Sequence, residues 1–241
     1  MSLPSAGPPD ATNSAAVPAD AREIGPFRAG LRRTILVGLA ILGWFATQSF
    51  ISQRTAPTSG IDDGMHRLTA PWHDYLFAHP SAANALMIVS SAFIDGLAIF
   101  VLVRAIKGPT IRPFVGLFML FGLRQLLEVL CSLPEPHEMI WHYPGVPAIL
   151  VTYGVATDLF FSGHTSVAVY GSLELSRLGR KWLWLGIFIA IFEMLTVLTL
   201  RAHYTMDVYA ALMTALVVNH IAEKISPPID RFILRTLARS A

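Results

Sequence analysis

Two short motifs in this 241-residue chain hold the residue types that do chemistry: Ser162-Gly163-His164-Thr165 and His203-Tyr204-Thr205-Met206-Asp207, their histidines 39 positions apart. Two imidazoles and a carboxylate at the mouth of a helical bundle are the parts that phosphoryl transfer through a phosphohistidine requires. Asp207 follows His203 by four residues at a predicted helix start, so both fall on one face. The carboxylate is expected to accept a hydrogen bond from one imidazole nitrogen and leave the other unprotonated and nucleophilic. Ser162 reads as a helix N-cap that can also donate to a phosphate. Gly163 permits close backbone approach, and helix-start N–H groups favour an anion. His164 is then placed to protonate a departing alkoxide. Taken singly, each motif also reads as a capped helix start with a solvated histidine. Their pairing favours chemistry.

Arg124 and Glu128 stand four apart inside an apolar run. A charge at membrane depth costs about 2.5–3.5 kcal/mol on insertion scales and is generally paired or functional. Arg124 is expected to reach a substrate phosphate while Glu128 orients it, and a purely structural pair is the alternative. Asp95, Glu174 and Glu193 read as helix-packing contacts. Glu135, His137, Glu138 and His142 read as a solvated loop, and Phe160 and Phe161 as packing or lipid-facing residues.

The elements that must position these groups are membrane spans. Apolar residues make up 54% of the chain and charged residues 14%. A soluble domain carries about 25% charged residues. Mean hydropathy is +0.54. The predicted fold is all-α: a six-transmembrane-helix bundle with a short interfacial helix. Spans are expected at Thr34–Ile51, Ala82–Ala105, Pro113–Leu133, Leu159–Leu178, Trp182–Leu200 and His203–Ile225. Residues 1–30, rich in Pro, Ala, Ser and Gly, read as a disordered cytoplasmic tail, 31–225 as the catalytic bundle, and 226–241 as a basic cytoplasmic tail. Within the loop 52–80, Met65–Pro80 mixes Trp72, Tyr75 and Phe77 with three histidines, the pattern of a helix in the headgroup region. The single cysteine, Cys131, excludes an intrachain disulfide and a clustered-cysteine metal site.

Basic residues are distributed asymmetrically. Fourteen of the 18 lie on the side of the N-terminus, in the tails, at the span ends next to them, and in or beside the links that follow the second and fourth spans; Arg54, Arg67 and Arg201 lie on the opposite side, and Arg124 lies within a span. That bias predicts cytoplasmic termini and an extracytoplasmic active site, with the bacterial inner membrane the expected location. The chain thus reads as an integral-membrane enzyme acting on lipid phosphate esters.

With these residues in view, the chain resembles the type 2 phosphatidic acid phosphatase superfamily, most closely its sphingomyelin synthase branch. Asp158-x3-Ser162-Gly163-His164-Thr165 is similar to that branch's first histidine motif, and His203-Tyr204-Thr205-Met206-Asp207-Val208 to its H-Y-T-x-D-V motif. Arg124-x8-Leu133-Pro134-Glu135-Pro136 is similar to its R-x8-L-P-x-P segment, with Glu135 in place of a small apolar residue. The phosphatase branch's Ser-Arg pair is Thr196-Val197 here. The resemblance covers residues 120–215 and the six-span layout.

It implies a transferase that moves a phospho-headgroup from a phospholipid to a lipid hydroxyl. His164, His203 and Asp207 would be catalytic; Arg124, Asp158, Ser162, Gly163, Thr165, Arg201 and Tyr204 would bind substrate. No metal or cofactor is implied. The expected partners are phospholipid and lipid-alcohol substrates in the membrane, with no nucleic acid, and a homo-oligomer is compatible with the sequence. Hydrolysis of a lipid phosphate or pyrophosphate, or a phospholipase C-like cleavage, would use the same residues. A metal- or haem-binding membrane protein is the non-enzymatic alternative.

Overall fold

The computed structural model describes residues 26–53, 61–153 and 159–238. Among the described residues there are eight helices and no strand: α1 (Pro26–Ser52), α2 (Gly64–Leu68), α3 (Ala70–Ala78), α4 (Pro80–Lys107), α5 (Arg112–Leu130), α6 (Gly163–Ser176), α7 (Arg180–Thr199) and α8 (Thr205–Ala238). Five are long and apolar enough to cross a membrane: α1, α4, α5, α7 and α8.

The fourth predicted span, Leu159–Leu178, differs from expectation. Its helix begins only at Gly163 and has 14 residues. That is about 21 Å of helix, against a hydrocarbon core of about 30 Å. All of α6 except Gly163, Leu173 and Ser176 is buried. It packs against α4, α5, α7 and α8, so its apolar residues face protein. A hydropathy run does not separate a protein-sheathed helix from a lipid-facing one. Small residues let the neighbours close in. A Cβ on Gly116 of α5 would lie 2.1 Å from Tyr170 Oη, and one on Gly186 of α7 would lie 2.9 Å from Ser172 Cβ. Such close approaches are how helices associate where lipid supplies no hydrophobic drive.

α1 and α8 also differ from the sequence boundaries. α1 starts at Pro26, so the last residues of the predicted disordered tail are helical. From Gly30 to Ser52 only Arg33, Val37, Gln48 and Ile51 are buried, and the rest of α1 borders the bundle loosely. α8 runs unbroken through Pro227 and Pro228 to Ala238, past the predicted boundary at 225/226. The Ser226 hydroxyl donates to Ala222 O at 2.6 Å, one turn back, where prolines disturb the helical ladder.

Two polar networks mark the ends of the bundle. At one end Arg33 donates to Gly108 O at 3.0 Å and stands 3.8 Å from Asp230, which accepts from Thr110 and Ile111. Nearby, Arg112 pairs with the buried Glu174 at 2.7 Å, and Arg177 pairs with Glu223. At the other end, α2 and α3 replace the single predicted interfacial helix. They bury His66 and His73 and expose Leu68, Trp72, Tyr75 and Phe77. The 131–153 connection folds over this end, held by Ile140 N–H to Leu200 O at 2.8 Å and by the Asp95 carboxylate, which accepts from Ile149 and Leu150.

Candidate active site

His203 lies in the short turn between α7 and α8, not on α8 itself. Leu200 caps α7, Arg201 adopts a positive φ of 54°, and α8 begins at Thr205. The predicted helical i, i+4 geometry with Asp207 is therefore absent. His203 Nδ1 is 3.7 Å from Asp207 Oδ2 and instead donates to the Leu159 carbonyl at 2.8 Å. A carbonyl can only accept, so Nδ1 carries a proton, and the neutral tautomer compatible with this bond has its lone pair on Nε2. Asp207 Oδ2 accepts from Tyr204 N at 2.8 Å and caps the first turn of α8, while Oδ1 is buried without a hydrogen-bond partner. The carboxylate thus lies beside His203 as a charge and ties down the backbone that carries it.

His164 is the second residue of α6. Ser162 caps this helix, accepting from Thr165 N at 3.2 Å, and Ser162 N–H reaches Asp207 O at 3.4 Å. The two histidine segments are thereby joined through backbone. The His164 ring meets Trp141 edge to face, with centroids 5.0 Å apart, and its buried Nε2 has no hydrogen-bond partner. Arg124 enters from α5. Its Nε donates to Phe161 O at 3.1 Å, and its Nη1 stands 2.5 Å from the buried Glu128. A Cβ on Gly163 would sit 3.2 Å from Arg124 Nε, so glycine lets the guanidinium lie over the α6 start.

His164, His203, Arg124 and Gly163 line one cavity of about 40 Å³ whose walls include Trp44, Phe121 and Trp141. At about 10–15 Å³ per water-sized sphere, it has room for a phosphoryl-sized group. Two imidazoles and a guanidinium at the N-terminus of α6 give it chemistry suited to an anion.

Other predicted site residues lie elsewhere. Arg201 donates to His137 O and Glu138 at 3.0 and 3.1 Å and tethers the covering loop. Tyr204 is fully buried, and its hydroxyl donates to Pro134 O at 3.1 Å. Neither they nor Ser162 and Thr165 line the cavity. Thr165 Oγ1 is buried without a partner. Asp158 lies outside the described residues.

A layer beneath His203 carries no motif that the sequence sets apart. Asp63 caps α2 through the Met65 and His66 N–H groups and crosses to α8, accepting from both the N–H and the hydroxyl of Thr205 at 2.6 Å. Burial pushes its carboxyl pKa up, but the Thr205 and His66 hydrogen bonds outweigh this and hold it below the ordinary 3.8. His66 Nε2 donates to the His203 carbonyl at 2.8 Å, and its ring stacks on Tyr204. The Asp62-Asp63-Gly64 run is an N-cap signal. Nothing local links it to Thr205, 142 residues away.

The AtPDCT1/2 family matches residues 61–224, from two residues before Asp63 to the middle of α8. This is more than half of the chain, and the chain belongs to that family. A related protein is phosphatidylcholine:diacylglycerol cholinephosphotransferase 2 of Arabidopsis thaliana, 26% identical over 133 residues, which are 55% of this chain and 43% of the relative. The chain thus aligns with less than half the length of that relative. No solved structure matches. The relative carries the name of a lipid phosphotransferase, and the family match is to neither the phosphatase superfamily nor the sphingomyelin synthase branch as such.

Proposed function

We propose that the chain is an integral-membrane lipid phosphotransferase that moves a phospho-headgroup, phosphocholine, from phosphatidylcholine to the hydroxyl of a diacylglycerol. The observation that carries this reading is the commitment of His203 Nδ1 to the Leu159 carbonyl, on the same cavity that holds Arg124 and His164. In the first step Nε2 of His203 attacks phosphorus. The bond from phosphorus to the glycerol oxygen breaks, and protonated His164 gives its proton to that oxygen. Phosphocholine remains on His203. In the second step the acceptor hydroxyl attacks phosphorus, neutral His164 takes the hydroxyl proton, and the phosphorus–nitrogen bond breaks. Arg124 offsets charge on the phosphoryl oxygens in both steps, and Asp207 offsets positive charge on His203. The aromatic faces of Trp44, Phe121 and Trp141 suit a quaternary ammonium.

In this reading α6 completes a six-crossing bundle, short because it is sheathed by protein. The basic network around Arg33, Arg112 and Arg177 faces the cytoplasm, and the cavity opens to the other side, at headgroup level. The test is incubation of purified protein in vesicles with choline-labelled phosphatidylcholine and either diacylglycerol or ceramide. With donor and diacylglycerol of different acyl composition, label in phosphatidylcholine that carries the acceptor's acyl chains is the expected result. Label in sphingomyelin would move the acceptor to ceramide, and free phosphocholine would make the enzyme a hydrolase.

A further inference from the structure

A second, larger cavity adjoins the first. It has a volume of about 500 Å³ and runs between α1 and α5 along an almost wholly apolar surface. Trp44, Phe121 and Leu150 line both cavities, so the two meet at a shared wall. Phe114 to Gln125 on α5 bounds the groove, about 17 Å at the helical rise and close to half a hydrocarbon core. Phe121 and the adjoining Arg124 lie toward the Gln125 end, where Gln125 donates to Gln48 at 3.0 Å. From the phosphate site the groove therefore descends along α5 through the hydrocarbon toward the basic end, where Phe114 stands two residues from Arg112. Leu39 and Phe118 on its rim are exposed, so it opens sideways to lipid.

The groove is left open by glycines. Gly43 on α1 and Gly122 on α5 line it, and a Cβ on either would meet nothing within 4 Å. Elsewhere in the bundle, Gly116 and Gly186 stand where a Cβ would collide with a neighbour, while Gly38 and Gly96 also face open space. Glycine costs about 1 kcal/mol relative to alanine inside a helix. At Gly43 and Gly122 no protein atom takes up the space it leaves.

We infer that this groove holds one acyl chain of the donor phospholipid while its phosphate ester occupies the His164–His203–Arg124 cavity. The inference rests on the transferase reading, and it makes the α1–α5 seam the lateral entry for substrate. The shared wall of Trp44, Phe121 and Leu150 is then the point where headgroup chemistry gives way to hydrocarbon.

The experiment uses two readouts on the full chain in lipid nanodiscs. Transfer is measured with dioleoyl and with dihexanoyl phosphatidylcholine as donor. Gly122→Phe, whose Cβ would meet no protein atom within 4 Å and whose ring would enter the groove, is expected to raise KM for the long-chain donor about tenfold more than for the short-chain donor. Gly96→Phe, at an exposed α4 position with open space around it and away from the groove, is expected to leave the ratio of the two KM values as in wild type. The second readout needs no turnover. Phosphatidylcholine with a photoreactive diazirine at the chain end should label peptides spanning 114–122, and Gly122→Phe should remove that label. Equal KM changes for both donors, or labelling that Gly122→Phe leaves intact, would overturn the groove. Groove labelling without transfer from any phospholipid would leave the groove standing and remove the transferase reading instead.

Discussion

His203 gives its Nδ1 proton to the Leu159 carbonyl at 2.8 Å, while Asp207 stands 3.7 Å from the same nitrogen. The tautomer of the proposed nucleophile is thus fixed by backbone. This separates the expected effects of two substitutions. His203→Ala removes the attacking nitrogen and should bring transfer to the background rate. Asp207→Asn keeps an oxygen acceptor for Tyr204 N–H but loses the neighbouring negative charge. It should lower kcat about 10- to 100-fold, the range for partners that support a reacting group from behind. Steady-state transfer assays check both. An Asp207→Asn loss as deep as that of His203→Ala would mean that the carboxylate, not Leu159, governs the imidazole.

Arg124 makes two directed contacts that only a guanidinium fork can make together, Nε to Phe161 O and Nη1 to Glu128. Lysine keeps the charge but not the fork. Arg124→Lys is therefore expected to lower kcat/KM about 10²- to 10³-fold, comparable to losing an oriented anion-stabilising donor. Circular dichroism and thermal melting should stay near wild type if the loss lies in phosphate positioning. A fully active Arg124→Lys would reduce this residue to a structural partner of Glu128.

Asp63 ties α2 to the start of α8 through both carboxylate oxygens, two residues from His203. Its folded pKa is depressed below 3.8. The stability it supplies is therefore fully present above pH 3.8 and is lost as pH falls through the lower folded value. Asp63→Ala should cost about 2 kcal/mol at neutral pH, as for hydrogen bonds to a charged group. The melting difference between wild type and Asp63→Ala should hold at neutral pH and shrink only once pH drops below the ordinary carboxylate range. A gap that closes near pH 6 would show a histidine at work instead.

The convergence of His164, His203 and Arg124 on one cavity was legible in the sequence, because each stands out chemically within an apolar segment. What each hydrogen-bonds was not. The Leu159 acceptor lies 44 residues from His203, and Thr205 lies 142 from Asp63. No periodicity encodes such pairings. Arg201 and Tyr204 were expected to bind substrate beside His203, yet the turn directs them to Glu138 and Pro134 on the covering loop. α4, α5 and α7 were legible to within a turn, whereas α1 starts well before and α8 ends well after the predicted span. α6 was legible as an apolar run but not as a short helix sheathed by protein, because hydropathy does not separate protein from lipid as the covering.

Gly116 tests that central packing. Its missing Cβ leaves room for Tyr170, whose hydroxyl donates to Arg112 O at 3.2 Å. Gly116→Ala would place a methyl 2.1 Å from Tyr170 Oη and force the ring aside. A loss of about 1–3 kcal/mol is expected, as for overpacking elsewhere. Gly122→Ala, with nothing within 4 Å, should be neutral or stabilising. Thermal melts of both variants in one detergent provide the comparison.

Sidedness is the last expectation, and the structure selects the reporter sites. The basic end carries Arg33, Arg104, Lys107, Arg112 and Arg177 around the α4–α5 link, while the site end carries the 131–153 loop. Basic residues concentrate on the cytoplasmic side of a membrane, so the cavity should open to the opposite face. After Cys131→Ser, single cysteines are introduced at exposed positions that accept a side chain. Gly145 has a positive φ of 87°, and a Cβ at Gly108 would lie 2.2 Å from Arg104 O, so both are unsuitable. Glu135 and Lys107 are exposed and free of these constraints. Glu135→Cys should react with an impermeant maleimide in intact cells when the protein is in the surface membrane. Lys107→Cys should react only after permeabilisation. If Lys107→Cys labels first, the basic network faces outward and headgroup transfer belongs to the cytoplasmic leaflet.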